Sequence, residues 1–187
     1  FNSIVVIDTN IALMVTRGGG ILKTTNGGTT WFMTPVEDVY ALYSINKLRP
    51  DFLTVTGYGG VLLKSVDTGR TWQHIPLPSG ITFFSGRFTN DSTGTLIGDQ
   101  GLILHTTDRG KTWATHVLSD GSIITASMNV IYGNDANVYA IAGDHVKLLY
   151  NDDTGVTWSQ SDLGSIYTVT GVCLFVKLTT TAAATNV

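Results

Sequence analysis

"SVDTGRTW" at residues 65–72 sets a hydroxyl, a carboxylate, a glycine, a second hydroxyl and an indole into eight positions, and it is not alone. "TTNGGTTW" stands at 24–31, "TTDRGKTW" at 106–113 and "NDDTGVTW" at 151–158. The four tryptophans, Trp31, Trp72, Trp113 and Trp158, are 41, 41 and 45 residues apart. That period is the length of one four-stranded blade of a β-propeller. The extra residues of the last interval read as a longer loop.

The flanks repeat as well. Gly19, Gly60 and Gly101 each lie five residues before a box, and "GILK", "VLLK" and "LILH" lead into it. In the fourth copy Val146 takes the glycine's place and "KLLY" leads in. Two apolar, partly alternating runs come earlier in each unit, for example "DVYALYSI" and then "FLTVTGYG". Each unit therefore reads strand, strand, Gly-rich turn, strand, box turn, strand. The predicted fold class is all-β, a propeller of four-stranded antiparallel blades over residues 1–178. Blades are expected at about 1–36, 37–78, 79–119 and 120–163. The strand-like stretch 164–178 either opens a fifth blade or pairs beside blade one to help close a small ring, and 179–187 read as a linker or tail.

Composition agrees. Of 187 residues 28 are Thr and 21 Gly, Glu occurs once, at Glu37, and charged residues make up 13%. Good helix formers are scarce and β-branched residues abundant. The formal net charge is −3, and the 11 Lys and Arg are spread singly along the chain. No basic stripe is there to neutralise phosphates, so nucleic acid is not an expected partner. The longest apolar runs, such as "GVCLFV", fall far short of the roughly 20 residues that cross a bilayer, so no membrane insertion is expected. The chain opens on Phe1 rather than Met, and the lack of a leader is uninformative about export. The lone Cys173, in an apolar run, excludes an intrachain disulfide and reads as a buried thiol.

The box itself is explained by turn chemistry. Thr24, Ser65 and Thr106 supply hydroxyls, and Asn26, Asp67, Asp108 and Asp153 supply side-chain oxygens that accept from backbone N–H groups in the turn. Gly28, Gly69, Gly110 and Gly155 stand where positive φ costs least. The indole that follows is expected to be buried over the hairpin's base, with its N–H requiring one partner. On that packing, Trp72→Ala or Trp113→Ala would cost roughly 3–5 kcal/mol.

With these residues in view, the boxes resemble the Asp-box, or bacterial neuraminidase repeat, Ser/Thr-x-Asp-x-Gly-x-Thr-Trp. The longer signature, glycine and an apolar strand ahead of the box, is similar to the repeat of the photosystem II assembly and stability factor family and its bacterial and phage relatives. The resemblance covers about 160 residues and implies the fold. It leaves function open, because the repeat also occurs in sialidases, xyloglucan-degrading hydrolases, sortilin-type receptors and binding proteins. Two departures, Asn26 for Asp in the first box and Asn151 for Ser or Thr in the fourth, predict looser turns there.

An enzymatic reading finds little support. A sialidase resemblance implies an arginine cluster with a Tyr and Glu pair. Of Arg17, Arg49, Arg70, Arg87 and Arg109, two lie inside box turns, away from the face a substrate would meet. A glycosidase needs two carboxyl groups across the scissile bond, and Glu37 and its neighbour Asp38 alternate apart in an extended chain. His74, His105, His116 and His145 show no ligand spacing, and His105, in the slot of Lys23 and Lys64, is expected to face outward. No "GxSxG" occurs. No catalytic residue, metal or cofactor is therefore assigned.

Binding is expected instead on the face where the Gly-rich turns emerge. There Arg17, Tyr58, Asp99, Gln100, Asp144 and His145 would be displayed together. The sequence predicts a non-catalytic propeller that presents a rigid surface to other proteins in a larger assembly, with a host-surface glycan as a further candidate partner. The low charge and the Thr, Gly and Asn content resemble phage virion proteins of tail, neck or fibre, which implies a virion or extracellular location. The alternatives are an assembly-factor-like chaperone propeller of the thylakoid lumen, for which a basic patch would be expected, and an extracellular glycan-binding or glycan-hydrolysing propeller.

Overall fold

The computed structural model describes residues 1–34, 36–37, 39–77, 80–116, 127–133, 138–142, 147–151 and 158–162. They form four antiparallel four-stranded sheets, each strand bonded to the next in sequence. Blade one holds β1 (Ser3–Val6), β2 (Ala12–Val15), β3 (Ile21–Thr24) and β4 (Phe32–Thr34). Blade two holds β5 (Leu42–Arg49), β6 (Phe52–Gly57), β7 (Leu62–Ser65) and β8 (Gln73–His74). Blade three holds β9 (Phe83–Phe88), β10 (Gly94–Gly98), β11 (Ile103–Thr106) and β12 (Ala114–Thr115). Blade four holds β13 (Met128–Gly133), β14 (Val138–Ala142), β15 (Lys147–Asn151) and β16 (Ser159–Asp162). The first strands meet in series, β1 against β5, β5 against β9 and β9 against β13, as the inner strands of a propeller do.

Packing follows from the two-residue period of the strands. Opposed residues share a face, so each blade carries one row toward its predecessor and one toward its successor. Leu13, Val15 and Ile21 of blade one interlock with Leu42, Ile45, Leu53, Val55 and Leu63 of blade two. A second core joins Leu62 of blade two to Phe83, Leu96 and Leu104 of blade three. Every residue of β6 is buried because blade two is covered on both faces, whereas β8 and β12 are exposed outer edges. Arg49 adds a polar tie at the rim, pairing with Asp51 at 2.7 Å and with Asp91 of blade three.

The box turns close as their residues dictate. Ser65 Oγ accepts from Gly69 N at 2.8 Å and donates to Asp67 Oδ1 at 2.8 Å. Asp67 Oδ1 also accepts from Arg70 N and Thr71 N, both at 2.9 Å, while Asp67 Oδ2 accepts from Thr71 Oγ1 at 2.6 Å. The third box repeats this with Thr106, Asp108, Gly110, Lys111 and Thr112. Gly28, Gly69 and Gly110 have φ of 90°, 72° and 78°. The preceding residue is left-handed too: Gly27 at 66°, but also Thr68 at 62° and Arg109 at 71°. The carboxylate bonds hold these two side-chain-bearing residues in a region that ordinarily favours glycine.

Three expectations need correction. In the first box Asn26 Oδ1 still accepts from Thr30 N at 2.9 Å and Thr24 Oγ1 at 3.0 Å, and its amide donates to Thr30 Oγ1 at 2.8 Å. The turn is thus closed, and Thr29 N and Arg70 N alike lie 3.4 Å from the carbonyls of Asn26 and Asp67, although Arg70 N also donates to the Asp67 carboxylate at 2.9 Å. Next, Trp31, Trp72 and Trp113 are half-buried rather than buried, because each box lies at the outer edge of its blade. Trp31 and Trp113 donate Nε1–H to the Gly28 and Gly110 carbonyls at 3.1 and 3.2 Å. Trp158 alone among the four is fully buried. Lastly, His105 does not face outward. It is 7% exposed, its Nδ1 lies 3.3 Å from Thr95 Oγ1 and its ring meets His116 edge-on at 5.3 Å.

Candidate binding site between the inner strands

The repeat that builds the blades also builds a cavity. Ser3, Ser44 and Ser85 are spaced by the 41-residue period and sit in β1, β5 and β9, opposite Val15, Thr56 and Ile97. The converging inner strands bring all three to one cavity of about 550 Å³. Asn2, Asn46 and Asn129 add amides, Tyr43 and Phe84 add rings, Val130 and Ile131 form its apolar side, and Arg17 reaches in from the turn after β2.

Its polar groups are partly tied to one another. Asn46 Nδ2 donates to Ser44 Oγ at 2.9 Å, Ser85 Oγ to Ser44 Oγ at 3.5 Å and Asn2 Nδ2 to the Leu42 carbonyl at 2.6 Å. Tyr43 and Phe84, again one period apart, stack edge to face at 5.4 Å. The lining thus alternates hydroxyls and amides, each able to donate and accept, beside two rings and one guanidinium. Such a wall suits a ligand with alternating N–H and C=O groups and few charges. Among the described residues no carboxylate lines it.

Of the described residues picked from the sequence, Arg17 alone lines this cavity. Tyr58 is 56% exposed in the turn Tyr58–Gly60, and Asp99 and Gln100 occupy the matching turn Asp99–Gly101, where Asp99 Oδ1 accepts from Ser127 Oγ at 3.2 Å. These turns lie by the inter-blade connections: Tyr58 N donates to the Ala41 carbonyl at 2.9 Å and Asp99 N to that of Thr82 at 3.0 Å. Asp144, His145, Asp153 and Gly155 lie outside the described residues, as do Asp38, Cys173 and the stretch 164–178. The serine and aromatic ladders carried a signal, since both repeat with the boxes. Their spacing was visible, but only the convergence of the inner strands shows that they share a wall.

A second grouping was hidden by sequence distance. Lys64, His74, Arg109 and Lys111 line one cleft of about 380 Å³ between the outer edge of blade two and the box of blade three. Burial, then the Arg109 and Arg49 guanidiniums, push the Lys64 ammonium below its ordinary range, and Lys64 Nζ lies 4.9 Å over the Phe52 ring. In the preceding pair of blades Lys23 Nζ instead donates to the Thr68 carbonyl at 2.7 Å. Cations scattered singly in sequence are therefore concentrated by the fold.

Residues 64–171 match the family model described as photosynthesis system II assembly factor YCF48. The chain belongs to that family. Its fold is similar to YCF48 from Cyanidioschyzon merolae, with a TM-score of 0.67 and 21% identity over 88% of this chain and 56% of that one. A structure of YCF48 bound to D1 peptide aligns with a TM-score of 0.66 and 21% identity over 87% of this chain and 54% of that one. The GH74 enzyme of Niastella koreensis aligns with a TM-score of 0.65 and 15% identity over 82% of this chain and 28% of that one. At these identities the likeness is one of fold, and the chain spans about half the length of the YCF48 structures. No curated protein matches the sequence.

Proposed function

We propose that this chain is a non-catalytic, assembly-factor-like propeller that holds a short segment of a partner protein in the cavity between its inner strands. The observation that carries the reading is membership of the YCF48 family, one of whose solved structures is described as bound to D1 peptide. The cavity lining supports it, because hydroxyls and amides complement a peptide backbone and the Tyr43–Phe84 pair offers an apolar seat for a side chain. The cationic cleft of Lys64, Arg109 and Lys111 removes one objection, since an assembly factor is expected to carry a basic patch. A virion role rests on composition alone and is the weaker reading. The corresponding partner is a photosystem II subunit and the corresponding compartment the thylakoid lumen.

The test is calorimetric titration of the chain with synthetic peptides tiled along D1, with xyloglucan as a control. Binding of one peptide per chain is expected, weakened about tenfold by Tyr43→Ala and by Asn46→Ala, each a loss of about 1.4 kcal/mol. Turnover of xyloglucan, or indifference to every peptide, contradicts the proposal.

A further inference from the structure

The outer strands of one blade meet the box turn of the next twice among the described residues, at corresponding positions and with different results. Between blades one and two the positions hold Lys23, Phe32, Met33, Thr68 and Arg70, and 41 residues later Lys64, Gln73, His74, Arg109 and Lys111. Strand register is the same in both, with Lys23 opposite Phe32 and Lys64 opposite Gln73. At the first seam Lys23 Nζ donates to the Thr68 carbonyl at 2.7 Å. At the second, Arg109 stands in the place of Thr68, and Lys64 Nζ lies 4.9 Å over the Phe52 ring instead. A ring face attracts an ammonium but leaves it N–H donors to spare. The box turn does not require the change, because Gly69 N and Gly110 N close on Ser65 and Thr106 alike, and Thr68 and Arg109 are both left-handed, at φ of 62° and 71°.

The cations of the second seam have no counter-charge. Among the described residues the ion pairs both belong to Arg49, which meets Asp51 and Asp91. Asp108, beside Arg109 in the box, is engaged by its own turn: Oδ1 accepts from Thr106 Oγ1, Lys111 N and Thr112 N, and Oδ2 from Thr112 Oγ1. The Arg109 and Lys111 N–H groups are committed as well, to the Ser92 carbonyl and to Asp108. What remains for a ligand in this cleft of about 380 Å³ is the cationic side chains of Lys64, Arg109 and Lys111, with Gln73 and His74 beside them. Burial first, and then the Arg109 and Arg49 guanidiniums, disfavour the Lys64 charge, a repulsion that a bound anion would offset. We propose that the cleft is an oxyanion site that takes a phosphate group through the side chains of Lys64, Arg109 and Lys111. Phosphate matches it in charge and in oxygens, carrying close to two negative charges near neutral pH. The guanidinium fork fits two oxygens in parallel, and the two ammoniums act as point charges on the others. A lone carboxylate brings one charge and would leave the cluster largely uncompensated. The cleft shares no lining residue with the cavity between the inner strands, so the site is independent of peptide binding there.

Calorimetric titration of the chain at fixed ionic strength decides the matter, with inorganic phosphate, phosphoserine and a hexaglutamate peptide as probes. Saturable binding of one phosphate or one phosphoserine per chain is expected, and the tighter of the two shows whether the group is taken free or as an ester. Lys64→Gln and, separately, Arg109→Gln are each expected to weaken that binding about tenfold with the melting midpoint held, because each removes one charged donor. Arg70→Gln, at the position of Lys111 in the first seam, is expected to leave it unchanged. Indifference to both phosphate probes, binding of hexaglutamate alone, affinity unmoved by Lys64→Gln and Arg109→Gln, or an equal loss from Arg70→Gln overturns the proposal.

Discussion

Asp67 and Asp108 show how much of a blade rests on one carboxylate. Burial works against ionisation at Asp67 but is outweighed by hydrogen bonds from the Thr71 hydroxyl and N–H, the Ser65 hydroxyl and the Arg70 N–H, which hold its carboxyl down at about 2. At Asp108 the Thr112 hydroxyl and N–H lead, again to about 2. An aspartate in the unfolded chain titrates near about 3.9. Because the folded value is the lower one, the stabilisation is complete above about pH 4 and is lost as pH falls from there toward 2. Melting midpoints between pH 2 and pH 5 should therefore fall steeply for the native chain and less so for Asp67→Asn with Asp108→Asn, the residue type that Asn26 already supplies in the first box. Parallel curves would show that the charge contributes nothing. The tryptophans divide by position in the same way. Trp158→Ala should cost roughly 3–5 kcal/mol, and half-buried Trp72→Ala about half as much. Denaturant midpoints check the order, and equal losses would contradict it.

The strands were legible in the sequence wherever the two-residue pattern met a turn signal. "FLTVTG" runs between the Gly-rich turn and a short connection, and it forms β6, buried along its length. What sequence could not give was the identity of the covered faces, because Ile4 and Ile45 are the same residue at the same register and differ only in whether a blade lies over them. His105 illustrates the same limit: its slot holds lysine in two other blades, yet packing against Thr95 and His116 draws it inward. The contrast gives a prediction for the element. Leu63→Ala removes a fully buried side chain from the seam between blades one and two and should cost roughly 2–5 kcal/mol. Leu22→Ala, its half-buried counterpart in blade one, should cost less. Urea midpoints read this directly, and a Leu22 effect equal to that of Leu63 would contradict it.

For the whole molecule, the period fixed by four tryptophans led to the propeller, and the fold then placed residues that the boxes had overshadowed. Glycine turns drew attention to Arg17, Tyr58, Asp99 and Gln100, while the wall of Ser3, Ser44, Ser85, Tyr43 and Phe84 came into view only once the inner strands converged. The proposed function depends on that wall being a binding surface. The most direct measurement is amide hydrogen exchange of the chain with and without the D1 peptide that binds in titration. The account predicts added protection in β1, β5 and β9, with the box turns 65–72 and 106–113 unchanged. Protection confined to the box turns or to the outer strands β8 and β12 would contradict it.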